Sequence, residues 1–451
     1  MIRDHDTIAA PATAAGGALA VIRISGEEAL RICDRIFRGR EPLAAAAGYT
    51  VHYGEIVDDG RVLDDVLVTV FRAPRSYTGE DAAEISCHGS QYIVSEILRL
   101  LTASGARMAG PGEFTIRAYL AGKLDLSQAE AVADIIASSS RAAHALAANQ
   151  MRGGYSDALE GLCEKLLELT ALLELELDFS EEEVEFADRA QLREAMQRIG
   201  AHIDALRNSF TLGNAIKEGV AVAITGAPNV GKSTLLNRLL NEERVLVSDI
   251  AGTTRDVIEE RINIDGVVFR FLDTAGIRAT DDRLEQMGIQ RTMSSIERAL
   301  IVIYMTDAAR LAAGAPVAPE FPLRADQKLL MLVNKTDMAP DSPLPEGTIG
   351  ISARNGDGID RLRGILRSFV DTEALYHGDA IVSNNRHYEA LTAAGDALRR
   401  ALDGLGSGLQ TDLLSEEIRQ VIHHVGSVTG RNALASEEVL KHIFSKHCVG
   451  K

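Results

Sequence analysis

Apolar residues recur along this chain with a period of two in some stretches and near 3.6 in others, and the switches between them divide it. Up to about residue 120 the two alternate. Leu19, Val21, Ile22 and Ile24 make a strand ending at Ser25-Gly26, and 27–37 reads as a helix. Strand-like segments follow at 50–57, 66–71 and 83–87, and a helix at 91–103 carries Ile93, Ile97, Leu98 and Leu101 on one side. Pro111-Gly112 breaks the chain, and helical periodicity then runs through 128–150, 154–177 and 187–210. The acidic run DFSEEEVEF at 178–186 is bracketed by apolar residues and reads as a solvated turn rather than a metal site. After an α/β pattern to about 378, helical segments return at 383–405 and 410–424, with a shorter one near 435–444. The expected architecture is multidomain. An α+β domain spans 1–120, a helical domain is split into 121–216 and 379–451, and an α/β domain at 217–378 is inserted between its halves. GNAIKEG and TEALYHGDAIVS are the expected linkers at the insert's two ends.

The insert carries the chemistry. GAPNVGKST at 226–234 fits G-x-x-x-x-G-K-[ST], with Val220, Val222 and Ile224 as a strand before it and Leu235, Leu236, Leu239 and Leu240 as a helix behind it. Glycines there let backbone N–H groups close on phosphate oxygens, Lys232 reaches the β- and γ-phosphates, and Ser233 holds Mg²⁺. Asp273-Thr274-Ala275-Gly276 follows a second strand, where Asp273 can hold a water of the Mg²⁺ shell and the Gly276 N–H can meet a γ-phosphate. Thr254, in GTTRD between the two motifs, offers Mg²⁺ a second hydroxyl. Asn334-Lys335-Thr336-Asp337 ends a third strand, and the Asp337 carboxylate matches the N1–H and amino donors of guanine. Ser352-Ala353 offers a backbone N–H for the guanine carbonyl, with Arg354 next to it. Five elements in this order predict a GTP-binding, Ras-like P-loop domain. Its nucleotide contacts are expected from Asn229, Val230, Gly231, Lys232, Ser233 and Thr234; from Ser248, Asp249, Ile250, Ala251, Gly252, Thr253 and Thr254; and from Asp273 to Gly276, Asn334, Lys335, Asp337, Ser352, Ala353 and Arg354.

Many small GTPases orient the attacking water with a glutamine after this aspartate motif, but Ile277 occupies that position. Glu285 is a catalytic candidate by position, against the plainer reading of an acid in a helix's first turn. Asn229 inside the glycine loop suits either a loop conformation or ligation of a monovalent cation that replaces an arginine finger. Arg255 and Arg278 are candidate arginine fingers, against the plainer reading of surface ion-pairing residues.

Composition narrows the class. The 451 residues are 46% apolar, lack tryptophan, and carry a net charge of −18, which argues against holding nucleic acid by overall field. No apolar run reaches the roughly eighteen residues of a membrane span. MIRDHDTIAAP reads as neither secretory signal nor transit peptide. Cys33, Cys87, Cys163 and Cys448 lie far apart and read as reduced thiols of a cytoplasmic protein.

These residues closely resemble the tRNA-modifying GTPase family called MnmE or TrmE. The likeness rests on GAPNVGKST, SDIAGTTRD and DTAGIR in the insert. Outside it rests on DTIAAPAT, AVIRISG, SYTGED, CHG, GPGEFTIRAYLAGKLDLSQAEAVADII and FSKHCVGK. The resemblance implies that Glu285 polarises water and that K⁺ is held by Asn229, Ser248, Ile250 and Thr253. It also implies a folate-binding, dimerising N-terminal domain, with Arg23, Glu80, Lys123 and Lys451 on a 5-formyl- or 5,10-methylene-tetrahydrofolate. The family's glycine-arginine-rich turn before the first strand is shortened here to TAAGG, 13–17. Further implications are a homodimer, a heterotetramer with an MnmG-type flavoprotein carrying FAD and NADH, and installation of an aminomethyl-type group on carbon 5 of the wobble uridine of tRNA. Cys448 in the Cys-Val-Gly-Lys ending has two readings, a frayed terminus or a thiol acting in one-carbon transfer. The rivals are a ribosome-assembly switch GTPase, which would carry a basic RNA-binding appendix, and a folate enzyme regulated by GTP.

Overall fold

A computed structural model describes residues 6–14, 16–178, 189–243, 259–272, 285–314, 318–319, 321–340, 343–370, 380–430, 443–444 and 450, with backbone only at 176–178, 242–243 and 285–291. The chain forms two compact units: 1–133 with 159–164 and 422–451, and 134–158 with 165–421.

The first unit is built on a seven-stranded sheet. Its elements are β1 (Ile8–Pro11), β2 (Leu19–Ser25), α1 (Ala29–Asp34), β3 (Phe37–Gly39), β4 (Thr50–Asp58), β5 (Arg61–Phe71), β6 (Ala82–His88), α2 (Gln91–Ala103), β7 (Arg107–Met108) and α3 (Glu113–Leu120). Strand order is β3-β4-β5-β6-β2-β1-β7, antiparallel except for the β1–β7 pair. Alternation puts Ile22, Ile24, Val66, Val68, Val70 and Ile85 on the face that packs with Leu30, Ile97 and Leu101 of the two helices. The helix expected at 27–37 stops at Asp34, because Phe37 goes into an edge strand paired with Ile56. The strand expected at 66–71 starts earlier, at Arg61. Asp59-Gly60, both at positive φ (46° and 86°), makes a two-residue hairpin turn that joins it to β4.

The helical stretch expected at 128–150 is two helices, α4 (Leu126–Ala137) and α5 (Arg141–Met151). The serines before Arg141 break it, and Ser140 caps α5 by accepting the Ala143 N–H at 3.1 Å. Next come α6 (Gly154–Asp178), α7 (Arg189–Asn208) and α8 (Phe210–Glu218). The acidic run beyond Asp178 lies outside the described residues.

The second sheet contains β8 (Val220–Gly226), β9 (Glu260–Ile264), β10 (Val267–Phe271), β11 (Ile301–Asp307), β12 (Lys328–Asn334) and β13 (Thr348–Gly350). They are interleaved with α9 (Lys232–Glu243), α10 (Glu285–Arg298), α11 (Ala308–Ala312) and α12 (Ile359–Ser368). Its order is β13-β12-β11-β8-β10-β9, parallel except for the β9–β10 hairpin. Near-continuous apolar runs such as IVIYM in β11 suit strands covered on both faces. After the sheet come α13 (Asn385–Ser407), which packs along α7, and α14 (Thr411–Thr429).

The segment expected as a linker before the insert is helix α8. It folds because Ile216 joins the core of the second sheet. Gly213 lies so close to the returning chain that a Cβ there would stand 2.1 Å from the Val382 carbonyl oxygen. Ser209 Oγ accepts the Val382 N–H at 3.0 Å. The two ends of the α/β stretch therefore meet, α8 against the segment just before residue 385. Of the short helix expected at 435–444, only Ile443 and Phe444 are described. They are buried against Leu126 and Ala129.

Candidate functional site: a nucleotide cradle and a cleft in the N-terminal sheet

The parallel strands β8, β11 and β12 end side by side, which brings Gly226, Asp307 and Asn334 to one edge of the sheet. Chain direction and pairing thus gather loops that lie up to about a hundred residues apart. The glycine loop between β8 and α9 has Asn229 at φ 64° and Gly231 at φ 99°. Lys232 Nζ bends back over the loop and donates to the Gly226 and Ala227 carbonyls at 2.8 and 2.9 Å. Burial, with the Arg310 charge a lesser cause, lowers its pKa. Such an ammonium gains from an anion within reach, which a phosphate on the glycine loop would supply. Ser233 stands in the first turn of α9.

The segment after β12 clasps this loop. Asn334 Nδ2 donates to the Val230 carbonyl at 2.7 Å, and Lys335 Nζ donates to the Asn229 carbonyl at 2.8 Å. The approach is close enough that a Cβ on Gly231 would lie 2.2 Å from Asn334 Nδ2, so glycine is required there for space as well as for φ. Asp337 is exposed in the 3₁₀ turn Thr336–Met338. The Ala353 N–H, expected to meet the guanine carbonyl, donates to Asn334 Oδ1 at 3.0 Å, and the Ser352 N–H donates to Asp357. Reading that carbonyl here requires a shared donation or the next amide, of Arg354. Asp307, which motif spacing did not single out, is the buried acid of the cradle.

Glu285 is the first residue of α10, as a first-turn acid would be, and its side chain is outside the described set. Ser248 to Thr254, Asp273 to Gly276, Cys448 and Lys451 also lie outside the described residues.

In the first unit, a cleft of about 130 Å³ is lined by Arg23, Ser25, Phe71, Tyr77, Thr78, Ala82 and Glu84. Arg23 and Glu84 are register partners on β2 and β6, and Glu84 Oε1 accepts from Arg23 Nε and Nη2 at 3.0 and 2.7 Å. The guanidinium also stands 5.2 Å from the Tyr77 ring centre and 5.7 Å from that of Phe114. Burial raises the Tyr77 pKa. Arg23 Nη1 donates at 3.2 Å to the carbonyl of Gly450, close to the chain's C-terminal residue. Gly450 has φ 99°, and a Cβ there would lie 2.0 Å from the Pro11 carbonyl oxygen.

Of the expected folate ligands among the described residues, only Arg23 lines this cleft. Glu80 turns aside, accepting from Ser25 Oγ at 2.7 Å and Arg117 Nη1 at 3.0 Å. Lys123 donates to the Pro74 carbonyl at 2.9 Å and passes Gly79, so it borders the same loop. Glu84 is the carboxylate in the cleft, and the alternation of β6 opposite Arg23 is the sequence signal that would have found it. Arg117 is buried with Asp6, Glu80 and Glu113 around it. Burial raises Asp6 and Glu113, but hydrogen bonds and charge from Arg107 and Arg117 outweigh it and hold both below ordinary carboxylate values.

Two family descriptions match successive stretches of the chain. Residues 7–123 match the family described as "GTP-binding protein TrmE N-terminus", and residues 126–448 match "MnmE helical domain". The chain is 47% identical over 469 residues to the tRNA modification GTPase MnmE of Flavobacterium johnsoniae, covering 99% of this chain and 100% of that one. It is 48% identical to the protein of the same name from Cytophaga hutchinsonii, covering 99% and 98%. Among solved structures, Aquifex aeolicus Era bound to GDP and AlF₄⁻ aligns at 26% identity over 39% of this chain and 65% of that chain, with a TM-score of 0.24.

Proposed function

The chain belongs to the MnmE family of tRNA modification GTPases, and from that premise we propose that it hydrolyses GTP to drive modification of the wobble uridine of tRNA. The clasp of the Asn334-Lys335 segment on the glycine loop carries this reading, because it fixes the base-reading and phosphate-binding groups in one frame. Phosphate lies along the loop amides and Lys232, with Ser233 and Thr254 on Mg²⁺. Asp337 accepts from the guanine edge. Asn229, Ser248, Ile250 and Thr253 hold K⁺, which supplies the positive charge an arginine finger otherwise brings. Of these four only Asn229 is described, and its left-handed backbone suits a loop wrapped closely on a small ion. Glu285 orients the attacking water. Turnover in K⁺ several-fold above that in Na⁺ is the expected result, and equal rates would remove the cation from the mechanism.

The N-terminal cleft takes a reduced folate, which supplies the one-carbon unit. Phe71 and Tyr77 suit the flat face of a pterin, and Arg23, Thr78 and Glu84 suit its polar edge. Glu80 and Lys123 border the cleft through the loop at 74–80, and Lys451 follows the docked Gly450. That docking also supports a chemical role for Cys448, two residues earlier. Cys448→Ser is expected to abolish the modified wobble nucleoside while K⁺-stimulated hydrolysis persists; normal nucleoside levels by mass spectrometry would exclude the role. A homodimer is supported by the sheet face turned away from α1 and α2, where Leu19, Val51, Tyr53 and Leu67 are exposed. A flavoprotein bearing FAD and NADH is the proposed partner, and the site of action is the cytoplasm. Among the described residues no helix is long and apolar enough to cross a membrane.

A further inference from the structure

Asp307 ends the strand next to β8 and is 6% exposed, an acid buried at the rim of the nucleotide cradle. Its two oxygens do different things. Oδ1 accepts the Arg310 N–H at 2.8 Å and caps α11, while Oδ2 accepts from Lys335 Nζ at 3.0 Å. The same ammonium donates to the Asn229 carbonyl at 2.8 Å. Asp307, Lys335 and Asn229 therefore form one line from the central strand, through the base-reading segment, to the phosphate loop. Both residues at the far end of that line hold left-handed backbone, Asn229 at φ 64° and Lys335 at φ 61°. Asparagine tolerates left-handed backbone, but for lysine it is unfavourable and persists only where neighbours hold it. Capping alone does not require a charge, since asparagine caps about as well as aspartate. What the charge adds is a firm hold on the Lys335 ammonium.

We propose that Asp307 is a positioning residue for the nucleotide: its carboxylate pins Lys335 across the phosphate loop, so that the base-reading and phosphate-binding segments engage one guanine nucleotide as a single unit. The proposal rests on the guanine reading given above. Asp307 touches no nucleotide atom itself and acts through Lys335 on Asn229.

Asp307→Asn separates the two roles, because it keeps an acceptor for the Arg310 N–H and removes the charge. GDP affinity is expected to fall about tenfold, because the amide that keeps the Arg310 cap turns its NH2, a donor, toward the Lys335 ammonium and the charge-assisted hydrogen bond is lost. KM for GTP should rise in step while kcat at saturating GTP falls less than twofold. The decisive arm is a cycle with Lys335→Ala. If Asp307 works through Lys335, Asp307→Asn has little further effect on GDP affinity in the Lys335→Ala background. Equal losses in both backgrounds, or full GDP affinity in Asp307→Asn alone, overturn the proposal. A wild-type chain that binds GDP no better than ADP would instead sink the guanine reading, and this proposal with it.

Discussion

Asp337 stands exposed in its 3₁₀ turn, so replacing it perturbs recognition without opening the core. In Asp337→Asn an amide presents donors to guanine's own donors, and the expected outcome is a preference for xanthine over guanine nucleotides in competition binding. Unaltered guanine preference would place base recognition elsewhere. The cysteines give a second test on single side chains. Burial, with a smaller push from neighbouring acids, raises Cys33 to about 12 and Cys87 and Cys163 to about 11. All three are thiols at neutral pH and shielded from reagent. Thiol titration of the native chain is expected to count no more than Cys448, and all four after unfolding. Fast labelling of a second thiol would contradict the packing around β6, α1 or α6.

Helix α5 is set by its cap, because Ser138, Ser139 and Ser140 part it from α4 in a stretch otherwise rich in alanine. Removing the Ser140 hydroxyl leaves the Ala143 N–H without its acceptor, and Ser140→Ala is expected to cost about 1 kcal/mol in denaturant unfolding. The joint at α8 has less tolerance. Gly213→Ala drives a methyl into the Val382 carbonyl, on backbone that cannot swing aside as a flexible side chain can. The expected effect is a loss of about 2 kcal/mol or more, with nucleotide affinity nearly intact. Parallel loss of both would mean that the insert depends on that joint for its own fold.

Across the whole molecule, acid should be the sensitive direction. Asp6, Glu113 and Asp307 all sit below their ordinary values in the folded chain. For each, burial pushes upward and is outweighed, by Arg107 and Arg117 for the first two and by the Arg310 N–H and Lys335 for the third. The unfolded chain therefore binds more protons at these groups, and their stabilisation is complete above their unfolded values near 4. It is lost as pH falls through the folded values. Their contribution to stability should be flat above roughly pH 5 and decline below about pH 4. Arg107→Gln should shallow that decline by releasing Asp6 and Glu113 toward ordinary values, and an unchanged acid slope would exclude the network as its source.

Local pattern was sufficient for elements whose chemistry is local. The 91–103 helix, the glycine loop with its strand and helix, and the Asn334 to Asp337 turn are each written in a short window, and each stands where its period or motif put it. The sequence also shows a change of period at both ends of the α/β stretch, which needs no long-range contact to be seen and carries the expectation of an insertion. What it left open were outcomes of competition between distant segments. Phe37 abandons a helix for an edge strand because Ile56 is there to pair with it, and GNAIKEG becomes a helix because Ile216 has a core to enter. Glu80 and Glu84 are both acids beside one loop. Only the register that sets Arg23 opposite Glu84, and the burial of Arg117 beside Glu80, decides which carboxylate faces the cleft. Asp307 sits outside every motif, and its role exists only because parallel strands bring β11 and β12 to a common edge. A charge takes its meaning from the partner within a few ångströms, and those partners lie tens to hundreds of residues away along the chain.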